Sequence, residues 1–279
     1  MNLALLLLLI AGVLSGIIQI LNKKLAGSYH QPSTHAAFIA LANGVIGLPF
    51  LLFQFRLPED SITWVLIAFS VITYAISLLF YFIAYKHADV SLVSVVRRLS
   101  IVFIAVLGVV FLREELSFVN WLGVVMILLS GAVVAIDKRK IKFSAGFLFA
   151  LLSAVFASVS SVLDKEILND ISPFTYVVVN NLLVGFVLVP RKGVLVDARD
   201  LLKHYWKLIA LTAILMDLGF ALVLYVLQGA DVSQTMPVYM GLSFMMPVVF
   251  GVVLLKEKQK LRQKIVALAL GLIGIFLLR

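Results

Sequence analysis

The chain has 279 residues, 63% of them hydrophobic and 13% charged, whereas a soluble domain carries about 25% charge. That excludes a soluble globular fold and points to an integral membrane protein. The net charge of +9 reads as loop topology rather than nucleic-acid binding, and the absence of cysteine excludes disulfides, thiol catalysis and Cys-ligated metals. No cofactor is expected.

A helix crossing about 30 Å of hydrocarbon needs roughly 20 apolar residues. Ten such segments follow one another, at 2–22, 35–55, 62–85, 91–112, 118–136, 143–163, 173–190, 206–228, 232–255 and 263–278. The ten-residue alternating strands of a barrel are absent, so the expected class is all-α integral membrane with ten transmembrane helices. The first run has no basic residue before it and exceeds a signal-peptide core, so no cleavable signal is expected.

In chain order, segment 1 carries Gly12, Gly16 and Gln19 on one face, and Gln19 is the candidate cavity residue there. Segment 2 holds Asn43. Segment 3 aligns Ser70, Tyr74, Ser77, Tyr81 and Tyr85 at spacings of 4, 3, 4 and 4, one helical face. Tyr74 and Ser77 are expected to line a cavity and Tyr85 to sit in the interfacial aromatic belt.

Segment 4 contains Arg97 and Arg98, the two basic residues set within an apolar span. Side chains of neighbouring helical residues diverge by about 100°. One of the pair is expected to bind a carboxylate or phosphate by its bidentate fork; the alternative is snorkelling to the nearby surface. In segment 7, Asn180 and Asn181 read as interhelical hydrogen-bonding residues. Segment 8 carries Asp217 at its middle, where an isolated carboxylate is expensive. It is expected either to pair with Arg97 or Arg98 or to carry a coupling proton. In segment 9, Pro237, Gly241 and Pro247 are expected to break or kink the helix, and Tyr239, Met240 and Met245 to give adaptable contact surface.

The chain is an internal duplication. Ala88-Asp89-Val90-Ser91 recurs as Ala230-Asp231-Val232-Ser233 at offset 142, and Leu112-Arg113-Glu114 returns as Leu255-Lys256-Glu257 at offset 143. Asn22-Lys23-Lys24-Leu25 falls on Asp164-Lys165-Glu166-Ile167, and Gly12 and Gly16 fall on Ala154 and Ser158, all at offset 142. The two repeats are 1–137 and 143–279. Each holds five segments, so the second must cross the bilayer in the opposite sense, as in carriers with a midplane site between inverted halves. Arg97 and Arg98 align with Tyr239 and Met240, and Asp217 aligns with Ala75, so the charges break the repeat.

The motif Leu112-Arg113-Glu114-Glu115-Leu116, followed by Gly123 and Gly131, resembles the L-x-E-x-L pattern of EamA-like members of the drug/metabolite transporter superfamily. Leu255-Lys256-Glu257 with Gly271 and Gly274 matches in part. The resemblance spans nearly the whole chain and implies an exporter-like carrier whose cavity is lined by segments 1, 3, 4, 6, 8 and 9. Two departures stand out: Ile101 and Phe244 occupy places where the family often has proline, and Asn43 one where arginine is frequent. Glu114 and Glu257 read as helix-terminating residues in local ion pairs with Arg113 and Lys256.

Loops after segments 1, 3, 5, 7 and 9, with the segment ends beside them, carry 17 Lys and Arg, against 4 on the opposite side. The positive-inside rule places the former in the cytoplasm and both termini outside, in an inner cell membrane. The expected function is a secondary transporter exporting small organic metabolites such as amino acids by alternating access, as a monomer or homodimer in the lipid bilayer. Phosphorylated or lipid-linked anions are the alternative cargo. An intramembrane enzyme is disfavoured, because no G-x-S-x-G or H-E-x-x-H motif occurs and no His lies at depth.

Overall fold

The computed structural model describes residues 3–25, 32–88, 90–135, 145–189, 194–253 and 261–278. Their helices are α1 (Leu3–Leu25), α2 (Pro32–Ile46), α3 (Ser61–His87), α4 (Val90–Arg97), α5 (Ser100–Phe111), α6 (Phe118–Ala135), α7 (Ala145–Ile167), α8 (Pro173–Leu188), α9 (Val194–Gly229), α10 (Val232–Val253) and α11 (Leu261–Leu277). No strand occurs among the described residues. Of these helices, the stretches Ser61–Ala84, Ala145–Ile167 and Lys203–Gly229 are long and apolar enough by themselves to cross a membrane. Shorter apolar helices occupy Leu3–Ile18, Ala37–Leu52, Ser100–Phe111, Phe118–Val133 and Pro173–Leu188, so the chain reads as a multi-pass membrane protein.

The ten predicted segments become helices, with two corrections. Segment 2 stops early: α2 ends at Ile46, and a 3-10 turn over Leu48–Leu52 follows, with Pro49 in its first turn. The expected break in segment 9 is not there, since α10 runs as one helix through Pro237 and Pro247, with Gly241 between them. The break falls in segment 4, between α4 and α5. There Leu99 N bonds Val96 O, Ile101 N bonds Arg98 O and Val102 N bonds Leu99 O, each at 3.0 Å. Three-residue spacing tightens the backbone and re-aims the helix.

The packing pairs each element as an in-plane twofold requires. α3 lies on α7 as α1 lies on α9; α1 lies on α10 as α7 lies on α5; α2 lies on α8 and α6 on α11, each against its own repeat counterpart. At the α2–α8 crossing a Cβ on Gly44 would meet the Leu182 side chain at 2.6 Å, and one on Gly185 would meet Leu41 at 2.6 Å. Leu41 and Leu182, like Gly44 and Gly185, stand 141 positions apart, so the contact is its own mirror across the axis. At the α6–α11 crossing Gly123 and Gly274 each face the other's carbonyl oxygen, at 2.8 and 2.7 Å from an added Cβ. Overpacking such a crossing costs about 1–3 kcal/mol. Gly44→Ala and Gly185→Ala should each lower the melting temperature of the detergent-purified protein by several degrees, while Gly229→Ala, with nothing within 4 Å, should not.

The repeat markers are structural joints. Glu114 is buried and accepts from the backbone N–H of Val232 (2.7 Å) and of Ser233 (2.8 Å), so it caps α10 in the other repeat. This corrects the expected local pairing with Arg113, whose backbone is left-handed (φ 57°). Glu257 and Lys256 lie outside the described residues.

One end of the bundle is tied by loop contacts. Asp170 accepts from Glu59 N (3.0 Å) and Asp60 N (3.1 Å) and pairs with Arg56 (3.6 Å), while Ser172 Oγ donates to Gln54 O (2.7 Å). The Asp60 N–H foremost, then the Thr63 hydroxyl, the Glu59 N–H and Arg56, hold the Asp170 carboxyl below the ordinary range. A depressed carboxylate contributes stability above the unfolded value of about 4, lost as pH falls through the lower folded value. The melting-temperature gap between wild type and Asp170→Asn should therefore hold near neutrality and close below about pH 4.

Candidate functional site

The α4–α5 break decides where the two arginines go. α4 ends at Arg97, and the turn through Arg98 and Leu99 sends the side chains apart. The Arg97 guanidinium lies 4.1 Å over the Tyr81 ring of α3. Arg98 lies 3.6 Å over the Phe244 ring of α10. A Cβ on Gly131 of α6 would overlap the Arg98 guanidinium, so the missing side chain at Gly131 is the space the arginine fills. Arg98 Nη1 is buried without a hydrogen-bond partner. Among the described residues the ion pair formed is Arg56–Asp170, so neither arginine of the break meets a carboxylate.

Tyr74 lies within electrostatic range of Arg97, Asp164, Tyr239 and Tyr81. Tyr239, the repeat counterpart of Arg97, is hydrogen-bonded with Ser15 of α1 and Ser243. Three of the expected site residues, Tyr74, Arg97 and Tyr239, thus gather from α3, α4 and α10. All three are half-buried although they sit in the bundle. Arg98 stands on the other side of the break, against Phe244 of α10 and Gly131 of α6. A guanidinium plane with tyrosine hydroxyls at Arg97, and one on an aromatic face at Arg98, each match an anionic group attached to an apolar body.

Ser77 does not join them. It is fully buried and donates to Ser153 O at 2.8 Å, so it fastens α3 to α7; its small size suits that crossing, which corrects its expected place on a cavity wall. The side chains of Gln19 and Tyr85 lie outside the described residues.

Asp217 is elsewhere, and its expected pairing with Arg97 or Arg98 is not formed. α9 packs chiefly on α1, α2 and α8, whereas α4 and α5 pack on α6, α7 and α10. Asp217 Oδ1 accepts from Asn181 Nδ2 at 2.9 Å, so Asn181 serves an acid rather than merely joining helices. Asp217 Oδ2 is buried without a partner and faces Gly47, where an added Cβ would stand 2.8 Å from it. Asn43 donates to Met216 Sδ at 3.8 Å alongside.

A second buried acid escaped the sequence reading. Asp164 Oδ1 accepts from Ser70 Oγ at 2.9 Å and from the Tyr176 hydroxyl, and Ser70 and Ser160 share a further bond at 2.9 Å. The next residue, Lys165, caps α9 by donating to Leu227 O at 2.7 Å. The signal was the Ser70 end of the segment 3 stripe, which needed a partner inside the bundle.

A family model described as the EamA-like transporter family matches residues 2–136 and again residues 144–279. An "Uncharacterized transporter in cobO 3'region" of Sinorhizobium sp is 40% identical over 85 residues, which is 30% of this chain and 60% of that relative. This chain therefore spans less than two thirds of that relative's length. A solved crystal structure superimposes with a TM-score of 0.77 over 98% of this chain and 95% of its own, at 17% identity, a likeness of fold. Two matches of one family model, one per repeat, coincide with the pseudo-twofold packing. The chain belongs to the EamA-like transporter family of the drug/metabolite superfamily.

Proposed function

We propose that the protein is a secondary carrier, not an enzyme, that exports small organic metabolites such as amino acids by alternating access between its two repeats. One observation carries this reading: two guanidinium groups stand in the bundle at a helix break without a carboxylate partner among the described residues, Arg97 within reach of Tyr74 and Tyr81 and Arg98 on Phe244. An unpaired arginine at depth is expensive, and such residues mark substrate paths. A cargo carboxylate supplies the missing charge, and Tyr81, Phe244 and Met240 supply apolar contact for its body. Tyr74, Arg97, Arg98 and Tyr239 are the binding residues in this proposal; Gln19 is kept on its sequence position alone.

The proposed orientation has both termini outside an inner cell membrane, on the loop charge count. An active C-terminal alkaline phosphatase fusion with a dark GFP fusion supports it; the reverse pair contradicts it. Cargo is found by a thermal-shift screen of the purified protein against amino acids, nucleosides and phosphorylated metabolites, followed by counterflow of each compound that raises the melting temperature. Stabilisation by phosphorylated compounds alone would move the proposal to a phosphate carrier.

A further inference from the structure

We propose that Asp217 forms a proton site separate from the cargo residues, and that its proton acts through the turn ending α2; this rests on the carrier reading above. The site is built from α2, α8 and α9. Asp217 is 1% exposed, at the middle of its membrane segment. One carboxylate oxygen has its donor, Asn181 Nδ2, while Oδ2 has none. A carboxylate in that setting is completed by a cation or a proton.

The neighbours select the proton. Oδ2 stands against Gly47, and the other atoms nearest that glycine's open side are the Asn43 carbonyl and a Val178 methyl. That carbonyl already accepts from Gly47 N at 2.7 Å. Methyl and thioether groups are poor ligands for a hard metal ion, which takes several oxygens. Among the described residues, the side chain that acts on the Asp217 carboxyl is Asn181, which does not titrate. From α1, Ala11 and Leu14 close on Gly219, two residues along. Described ionisable groups of the other packed helices are engaged elsewhere: Lys165 of α7 on Leu227 O, Asp164 of α7 on Ser70 and Tyr176, Tyr239 of α10 with Ser15 and Ser243.

The site also sits on a joint. Gly47 lies between the end of α2 and the 3-10 turn over Leu48–Leu52. A side chain there would collide with Oδ2, so glycine lets the α2 end close directly on the acid. Loading or emptying Oδ2 changes the charge held against that joint. Arg97, Arg98, Tyr74 and Tyr239 contribute nothing to it. Cargo and proton would then be linked through the helices rather than by competing for one group, and coupling between separate sites is a differential affinity of two conformations.

The test uses the whole protein in proteoliposomes. Infrared difference spectra across a pH titration should show a carboxylic-acid C=O band that is lost at high pH and restored at low pH in wild type, and is missing in Asp217→Asn. Gly47→Ala should displace its midpoint, whereas Arg98→Leu should leave the band in place. With a screened amino acid as probe, Asp217→Asn should lose accumulation driven by a pH gradient yet still exchange label at equal pH. The inference is overturned if Asp217→Asn retains the titrating band, if it keeps gradient-driven accumulation, or if its exchange falls as far as that of Arg98→Leu. A wild type that exchanges no probe would instead strike the carrier reading, and the infrared titration would still decide the proton site.

Discussion

Glu114→Ala should destabilise the protein by about 3 kcal/mol, the largest loss expected from any single loop side chain. The Glu114 carboxylate is buried and bonded at 2.7 and 2.8 Å to the first two N–H groups of α10. Those donors have no partner within their own helix, and the positive end of the helix dipole faces the carboxylate. Hydrogen bonds to a charged group contribute about 1.5–3 kcal/mol each, and removing the acceptor leaves two buried donors unpaired. Glu114→Gln keeps one acceptor oxygen but sets an NH2 group against the other donor, so it should recover about half of the loss. The measurement is thermal unfolding of the detergent-purified protein, with exposed Glu115→Ala as the neutral comparison, expected within about 0.5 kcal/mol of wild type. Coincident curves for wild type and Glu114→Ala would contradict the cap.

Arg98→Leu should weaken binding of a carboxylate-bearing cargo by about 30-fold or more, the range for losing one partner of a buried charged contact of 2–5 kcal/mol. Arg98→Lys should not rescue it. An ammonium lacks the planar fork, and the 3.6 Å stack on Phe244 depends on a flat cation. Gly131→Ala gives an independent way to the same end. Its methyl group would take the volume the guanidinium occupies and leave the charge intact. Both variants should lose the ligand-induced rise in melting temperature, read by titrating an amino acid found in the screen. Undiminished affinity in both would remove Arg98 from the site.

The segments were legible because the bilayer leaves few solutions: long apolar runs between short polar breaks must become helices, and the offset repeat must invert when each copy has five. The break in segment 4 was not. Prolines in segment 9 drew attention, yet α10 accommodates Pro237 and Pro247 within one helix. The real break, at Arg98–Leu99, has neither proline nor glycine, and arises from the backbone tightening that sends Arg97 to α3 and Arg98 to α10. Asp217 was legible as a buried acid by its depth, but its partner was not, because Asn181 lies 36 positions earlier and shares no pattern with it. Asp164 was hidden by its own neighbours: with Lys165 and Glu166 it forms a charged run just past the end of segment 6 at 163, whereas α7 continues to Ile167. Polar residues of segment 3 also split by degree of exposure. Tyr74 has a half-buried ring near Arg97, while Ser77 is packed away against Ser153.

The central claim is that this EamA-like chain moves an anionic metabolite through the site at the split arginine pair. Counterflow in proteoliposomes tests it most directly. Vesicles preloaded with an unlabelled amino acid that stabilises the purified protein should take up external label in a transient overshoot, and those with Arg98→Leu should not. An overshoot of equal size in the Arg98→Leu vesicles, or none in wild type for any stabilising compound, would contradict the account.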